Sequence, residues 1–380
     1  MDYLDNYSLV TVILPKESAT DILDKAIANY PGPAVMLSAR GSISSNKWYS
    51  KVFPPVNPEQ QVMELLVEDD KITDLMNSIT LAGHFNTSGI GAVFATKCGK
   101  ALYLGNKGAS VSTNAVGKPD GIEYKSETTA IYCIAQKDKS EAIANVAMKE
   151  GAPGPTVVFG QGRGIRDRMG LLRIAISPEK ELIRVVVDNY DVEPVFNAMV
   201  KEGKLDTPGM GFIYTMPVDK AYVSLPSVIG ANDELASKHQ IIKAIDDIKG
   251  GTAWRTLSSD TYGNGDTDKK HLSDLVRLSC VTERGKGDEI VDAAIAAGAP
   301  GASIAYGTKM GSEENKGGIN LTKEMEVIEL TVSPKVVDDM VGKMSEAAKA
   351  NDNDDVYFYT QSVPKALTYL AETAMKEISF

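Results

Sequence analysis

Cysteine is scarce: only Cys98, Cys133 and Cys280 occur, with no even-numbered framework and no C-x-x-C spacing. That pattern argues against a disulfide scaffold and fits a reduced, cytoplasmic protein. Histidine is equally sparse, and His84, His239 and His271 show no spacing suited to a metal site or a catalytic triad. No run of eighteen apolar residues is present, so no transmembrane helix is expected. The opening "MDYLDNYSLV" lacks the basic-then-apolar order of a signal peptide. Positive charge is in deficit, 40 Lys and Arg against 51 Asp and Glu, giving a net charge of −11. Affinity for polyanions comes from clustered Lys and Arg, so neither nucleic acid nor membrane is an expected partner. Paired carboxylates and an activated serine are also missing, and no catalysis, metal or prosthetic group is expected.

What the chain does have is repetition. "GAPGPTVVFGQGRG" (151–164) is echoed by "GAPGASIAYGTKMG" (298–311) and more faintly by "YPGPAVMLSARG" (30–41). The turn prolines Pro31, Pro153 and Pro300 lie 122 residues (31 to 153) and 147 residues (153 to 300) apart. A second ruler agrees, because Lys100, Lys220 and Lys365 follow at 120 (100 to 220) and 145 (220 to 365). Two markers that keep step over such distances indicate a triplicated unit.

Each copy opens on an apolar strand, "SLVTVIL" (8–14), "TAIYCIA" (129–135) or "LVRLSCV" (275–281). A helix follows, with Ser18 as its expected cap in the first copy. Apolar residues at spacings of three and four then mark a second helix: Ile72, Leu75, Met76 and Ile79; Val192, Val195, Phe196 and Met199; Val336, Val337, Met340 and Met344. The resulting order is β-α-β-β-α-β, so the expected fold class is α+β, three tandem ferredoxin-like units. The boundaries read 1–105 for the first repeat, 128–226 for the second and 274–380 for the third. Polar linkers at 106–127 and 227–273 separate them, the latter with one helix around Ile241, Ile242, Ile245 and Ile248.

Two loops per copy have the composition of an anion site. One follows the second strand: Gly160, Gly162, Arg163 and Gly164 in copy two, Arg40 and Gly41 in copy one, Gly307 and Lys309 in copy three. The other precedes the fourth strand: Thr87, Gly89 and Gly91, then Thr207, Gly209 and Gly211. Glycine lets backbone approach a ligand closely and turns N–H groups inward, while Arg and Lys can neutralise phosphate. Copy three breaks this second motif, with Asp354 and Val356 at the glycine positions.

In "GAPGPTVVFGQGRG" and "KLDTPGMGFIYTMPV" the chain resembles the PII nitrogen-regulatory signalling proteins and their PII-like relatives. The first stretch is similar to the strand leading to that family's T-loop, the second to its B-loop. The resemblance implies an intramolecular pseudo-trimer that binds AMP, ADP or ATP between repeats and signals to a protein target. It implies nucleotide contacts from the loop residues named above, with Lys100 and Lys220 near the family's basic residues. The lysine that usually follows the second B-loop glycine is replaced by Ala92, Phe212 and Tyr357. The rival expectation is a nucleotide-free scaffold for protein contacts; a divergent enzyme or metal-binding relative is the third.

Overall fold

The computed structural model describes residues 3–27, 30, 32–42, 58–87, 90–105, 117–164, 178–224, 244–245, 248–250, 271–316, 319–351, 353 and 355–369. The chain is mostly strand. In the first third lie β1 (Tyr7–Pro15), β2 (Ala34–Gly41), β3 (Glu59–Glu68), β4 (Ala92–Lys97) and β5 (Ala101–Tyr103). The middle third holds β6 (Thr128–Gln136), β7 (Thr156–Gly164), β8 (Glu179–Asp188), β9 (Gly211–Val218) and β10 (Lys220–Val223). The last third holds β11 (Leu272–Glu283), β12 (Gly301–Lys316), β13 (Ile319–Val332) and β14 (Tyr357–Thr368). Helices α1 (Lys16–Ile22), α2 (Ile72–Ala82), α3 (Ser140–Lys149), α4 (Val192–Gly203), α5 (Gly287–Ala296) and α6 (Val337–Ala350) are short and lie between strands.

The expectation of three ferredoxin-like units assembled as a pseudo-trimer is corrected by the pairing of these strands. All fourteen belong to one sheet among the described residues. Nine of them close on themselves in the order β2-β12-β13-β11-β14-β9-β6-β8-β7, with β7 returning to β2. Every pairing in that ring is antiparallel. The molecule is therefore a closed β-barrel flanked by a few helices. The physical reason is edge pairing. Three separate sheets would leave rows of unpaired N–H and C=O groups at their ends, and closure removes them. Alternation within a strand reveals which side chains are buried; it does not reveal which strand lies alongside.

Both faces of the sheet are covered, which explains why the strands read as near-continuous apolar runs. On β1, Leu9 and Ile13 point into the barrel core with Tyr132, Tyr214, Val327 and Tyr359. The alternate residues Val10, Val12 and Leu14 pack outward against Ile22, Leu75, Met76 and Ile79 of α1 and α2. Equivalent outer cores bury Ile143, Ala147 and Phe196 in the middle third and Ile290, Ala294 and Met340 in the last. Helix starts rely on carboxylates from neighbouring strands. Glu181 on β8 accepts from the backbone N–H of Lys139 and Ser140 at 3.1 and 2.9 Å, and Glu326 on β13 accepts from those of Gly285 and Gly287 at 3.1 and 2.8 Å. The expected Ser18 cap is not used, because α1 begins at Lys16 and runs into a π-turn at Leu23–Ile27.

Of the expected linkers, residues 106–116 lie outside the described residues, and Lys125 bridges to Ala221 of β10. The helix expected within 227–273 falls largely outside them as well, as does His239.

Candidate functional site

The expected ligand residues gather at the junctions between the three segments, and most already have protein partners. The lysine ruler is the plainest case. Lys100 donates to Asp338 at 2.5 Å, Lys220 to Thr73 Oγ1 at 2.7 Å, and Lys365 to Glu193 at 2.6 Å. Asp338, Thr73 and Glu193 are each the second residue of α6, α2 and α4. Each lysine thus reaches from the strand register of one segment to the second helix of another. Lys100 also lies 4.8 Å from the Tyr3 ring centroid and Lys365 4.6 Å from that of Phe196. The lysine and the tyrosine hydroxyl both donate to Asp338, which holds its carboxyl below the ordinary range. A single exposed pair of this kind contributes little. Lys365→Met is expected to lower stability by less than about 1 kcal/mol in urea denaturation.

The basic residues after the second strands form a second recurring set. Arg40 donates to Ser140 Oγ at 3.0 Å and stacks 5.1 Å from the Phe159 ring. Arg163 pairs with Asp288 at 2.6 Å. Both therefore reach the first turn of the following segment's first helix, α3 or α5. Lys309 departs from this, pairing instead with Asp355 of its own segment at 2.6 Å.

Four of the glycines, Gly91, Gly160, Gly211 and Gly307, sit hard against neighbouring backbone. Gly91 and Gly211 have φ near +152° and +151°, and a Cβ at either would lie deep inside the contact limit of the Ile13 or Ile134 carbonyl oxygen. A Cβ at Gly160 would come within 2.5 Å of the Ile304 carbonyl oxygen, and one at Gly307 within 2.5 Å of that of Met36. Those are the seams where β7 meets β12 and β12 meets β2. Gly209 turns with φ +75°, and its carbonyl accepts from Gln136 Nε2 at 2.7 Å. Thr207 Oγ1 donates to the Lys204 carbonyl at 2.7 Å, while Thr87 N–H donates to the His84 carbonyl at 2.8 Å. Gly41 N–H donates to the Pro58 carbonyl at 2.8 Å. A Cβ at Gly162 would meet the Lys180 side chain, and one at Gly164 would lie 3.6 Å from the Pro300 carbonyl oxygen, an ordinary contact among the described residues. Gly89 lies outside the described residues.

A pocket of about 80 Å³ opens beside Gly91, between Ile13, Gln60, Gly154, Thr156 and Ser224. Pockets for drug-sized ligands run to roughly 300–1,000 Å³. Among the described residues no group of three or more His, Cys, Asp and Glu is placed to hold a metal ion. Burial pushes the Cys98 thiol up to about 12 and raises those of Cys133 and Cys280, so none is a thiolate near neutral pH.

The most unusual chemistry lies inside the barrel. Arg184 on β8 is buried and donates to Glu64 of β3 at 2.6 Å and to Glu329 of β13 at 3.1 Å. Arg277 on β11, fully buried, bonds Glu329 as well and donates to Gln361 Oε1 at 2.6 Å. Gln361 in turn donates to Thr96 Oγ1, and the Tyr359 hydroxyl donates to Glu64 at 3.1 Å. Both guanidiniums lie just over 5 Å from the Tyr132 ring centroid. Two cations and two carboxylates cancel, as a low-dielectric interior requires. Burial opposes the charge on Glu64, but Arg184 and Arg277 outweigh it and hold the carboxyl below its ordinary range. Arg184 thus joins residues of all three segments. The signal was present in the sequence, since Glu64, Arg184 and Glu329 stand alone in apolar runs at matching points of the three repeats.

No family model and no curated protein matches the chain. Among solved structures, the chain is similar to a microcompartments protein from Desulfitobacterium hafniense DCB at 10% identity and a TM-score of 0.17, over 62% of this chain and 95% of that one. Among the described residues no helix is long and apolar enough to cross a membrane.

Proposed function

We propose that the protein is a non-catalytic scaffold for a protein partner, built on a β-barrel closed by the pairing of strands from all three segments. The observation that carries this reading is the use of the recurring lysines. Lys100, Lys220 and Lys365 are each engaged with the second helix of a neighbouring segment. The glycine motifs support it too, since Gly91, Gly160, Gly211 and Gly307 answer to adjacent backbone oxygens. Residues that resemble a phosphate cradle are thus engaged by side chains of neighbouring segments.

The test is calorimetric titration of the folded protein with AMP, ADP and ATP, with and without magnesium. The scaffold reading expects no saturable heat and no shift in melting temperature. A ligand at a hundred times its dissociation constant would stabilise the fold by about 2.7 kcal/mol, well within detection. Saturable binding of any of the three would overturn the scaffold in favour of the nucleotide sensor.

A further inference from the structure

The β12–β13 hairpin is long: among the described residues β12 has 16 residues, against 8 for β2 and 9 for β7. Its root can be located from the pairing. β12 leaves β2 after Lys309, opposite Val35, and β13 meets β11 only from Met325 onward, opposite Glu283. Beyond those points the two strands pair with each other alone, from Glu313 opposite Thr322 to Lys316 opposite Ile319. A register shift between Thr308 and Glu313 marks the same place as a bulge. A two-stranded ribbon without further support is marginal in water, so its order depends on what holds the root.

We propose that Asp355 is an ionic pin that fixes the direction of this arm relative to the barrel. Its carboxylate accepts from Lys309 on β12 at 2.6 Å and from Lys323 on β13 at 2.9 Å, one contact to each strand of the arm. Lys323 also reaches Glu283, the last residue of β11, at 2.5 Å, which ties the arm to the barrel wall. All four side chains are partly shielded, with exposures between 27% and 39%. Pairs at that depth are stronger than open surface pairs yet remain accessible to salt. The contrast with the other segments makes the arrangement specific. Arg40 and Arg163 hold the first helix of the next segment, whereas Lys309 turns to an aspartate in the loop where the other copies carry glycine motifs. The third copy has exchanged a glycine loop for a clamp. This inference does not depend on the scaffold reading.

Hydrogen exchange with mass spectrometry on the full chain tests it. In low salt, amides of 310–322 are expected to exchange at least tenfold faster in Asp355→Asn than in the parent, with the amides of β6 and β8 unchanged. Raising NaCl to 0.5 M should speed exchange of the arm in the parent and leave the variant unaffected. Lys309→Gln should give the same pattern more weakly. Equal arm exchange in parent and variants would overturn the proposal, as would an arm already exchanging freely in the parent. A rise spread evenly over the barrel would also overturn it.

Discussion

Arg184→Met is expected to destabilise the protein by about 3–5 kcal/mol, a large share of the roughly 5–15 kcal/mol that holds a typical domain folded. The side chain joins Glu64 and Glu329 in the interior, and its removal takes away the cation in direct contact with Glu64. Most of the loss should be recovered in Glu64→Leu/Arg184→Met. That pair of changes removes opposite charges together and keeps the Arg277–Glu329 contact. The Tyr359 hydroxyl then loses its acceptor, so recovery should fall short by about 1 kcal/mol. Urea denaturation of the parent, single and double variants measures all three. Linkage gives a second readout. The carboxyl of Glu64 is held below its unfolded value, so its contribution is complete above about pH 4.3 and is lost as pH falls through the folded value. The double variant should therefore lose less stability than the parent on acidification below that point. Equal acid sensitivity would show that Glu64 does not carry the effect.

Gly211→Ala is expected to cost about 3 kcal/mol or more. Left-handed backbone disfavours a side chain by roughly 1–2 kcal/mol, and forcing a methyl against packed neighbours adds about 1–3. The methyl would be driven into the Ile134 carbonyl, which belongs to the paired strand β6 and cannot move away without breaking the sheet. Gly164→Ala is the contrast, since its nearest neighbour would be the Pro300 carbonyl at 3.6 Å, an ordinary contact. A change within about 0.5 kcal/mol is expected there. Similar costs at both positions would contradict the assignment of Gly211 to backbone packing.

Much of the strand content was legible in the sequence, and its arrangement was not. Apolar runs at 8–14, 129–135 and 275–281 coincide with β1, β6 and β11, because burial on both faces leaves a continuous apolar signal. Pairing partners have no such signal. β7 bonds both β2 and β12, strands from all three segments, and nothing in "TVVFGQG" announces either neighbour. The lysine spacing was legible as repetition, yet repetition alone cannot separate a ligand cradle from a joint. In the structure these lysines meet Asp338, Thr73 and Glu193, which lie on helices far away in the chain. The interior charges were the missed opportunity. A lone Glu or Arg inside an apolar strand is costly unless paired, so Glu64, Arg184 and Glu329 at one repeat position pointed to mutual contact.

Strands from all three segments close into one ring, so the segments are not separable units. Differential scanning calorimetry of the full chain, followed by hydrogen exchange across the transition, tests it most directly. The closed barrel predicts one transition with calorimetric and van't Hoff enthalpies in agreement, and amides of β2, β6 and β11 losing protection together. Two or three resolved transitions, with the strands of one segment opening while the others stay protected, would contradict it.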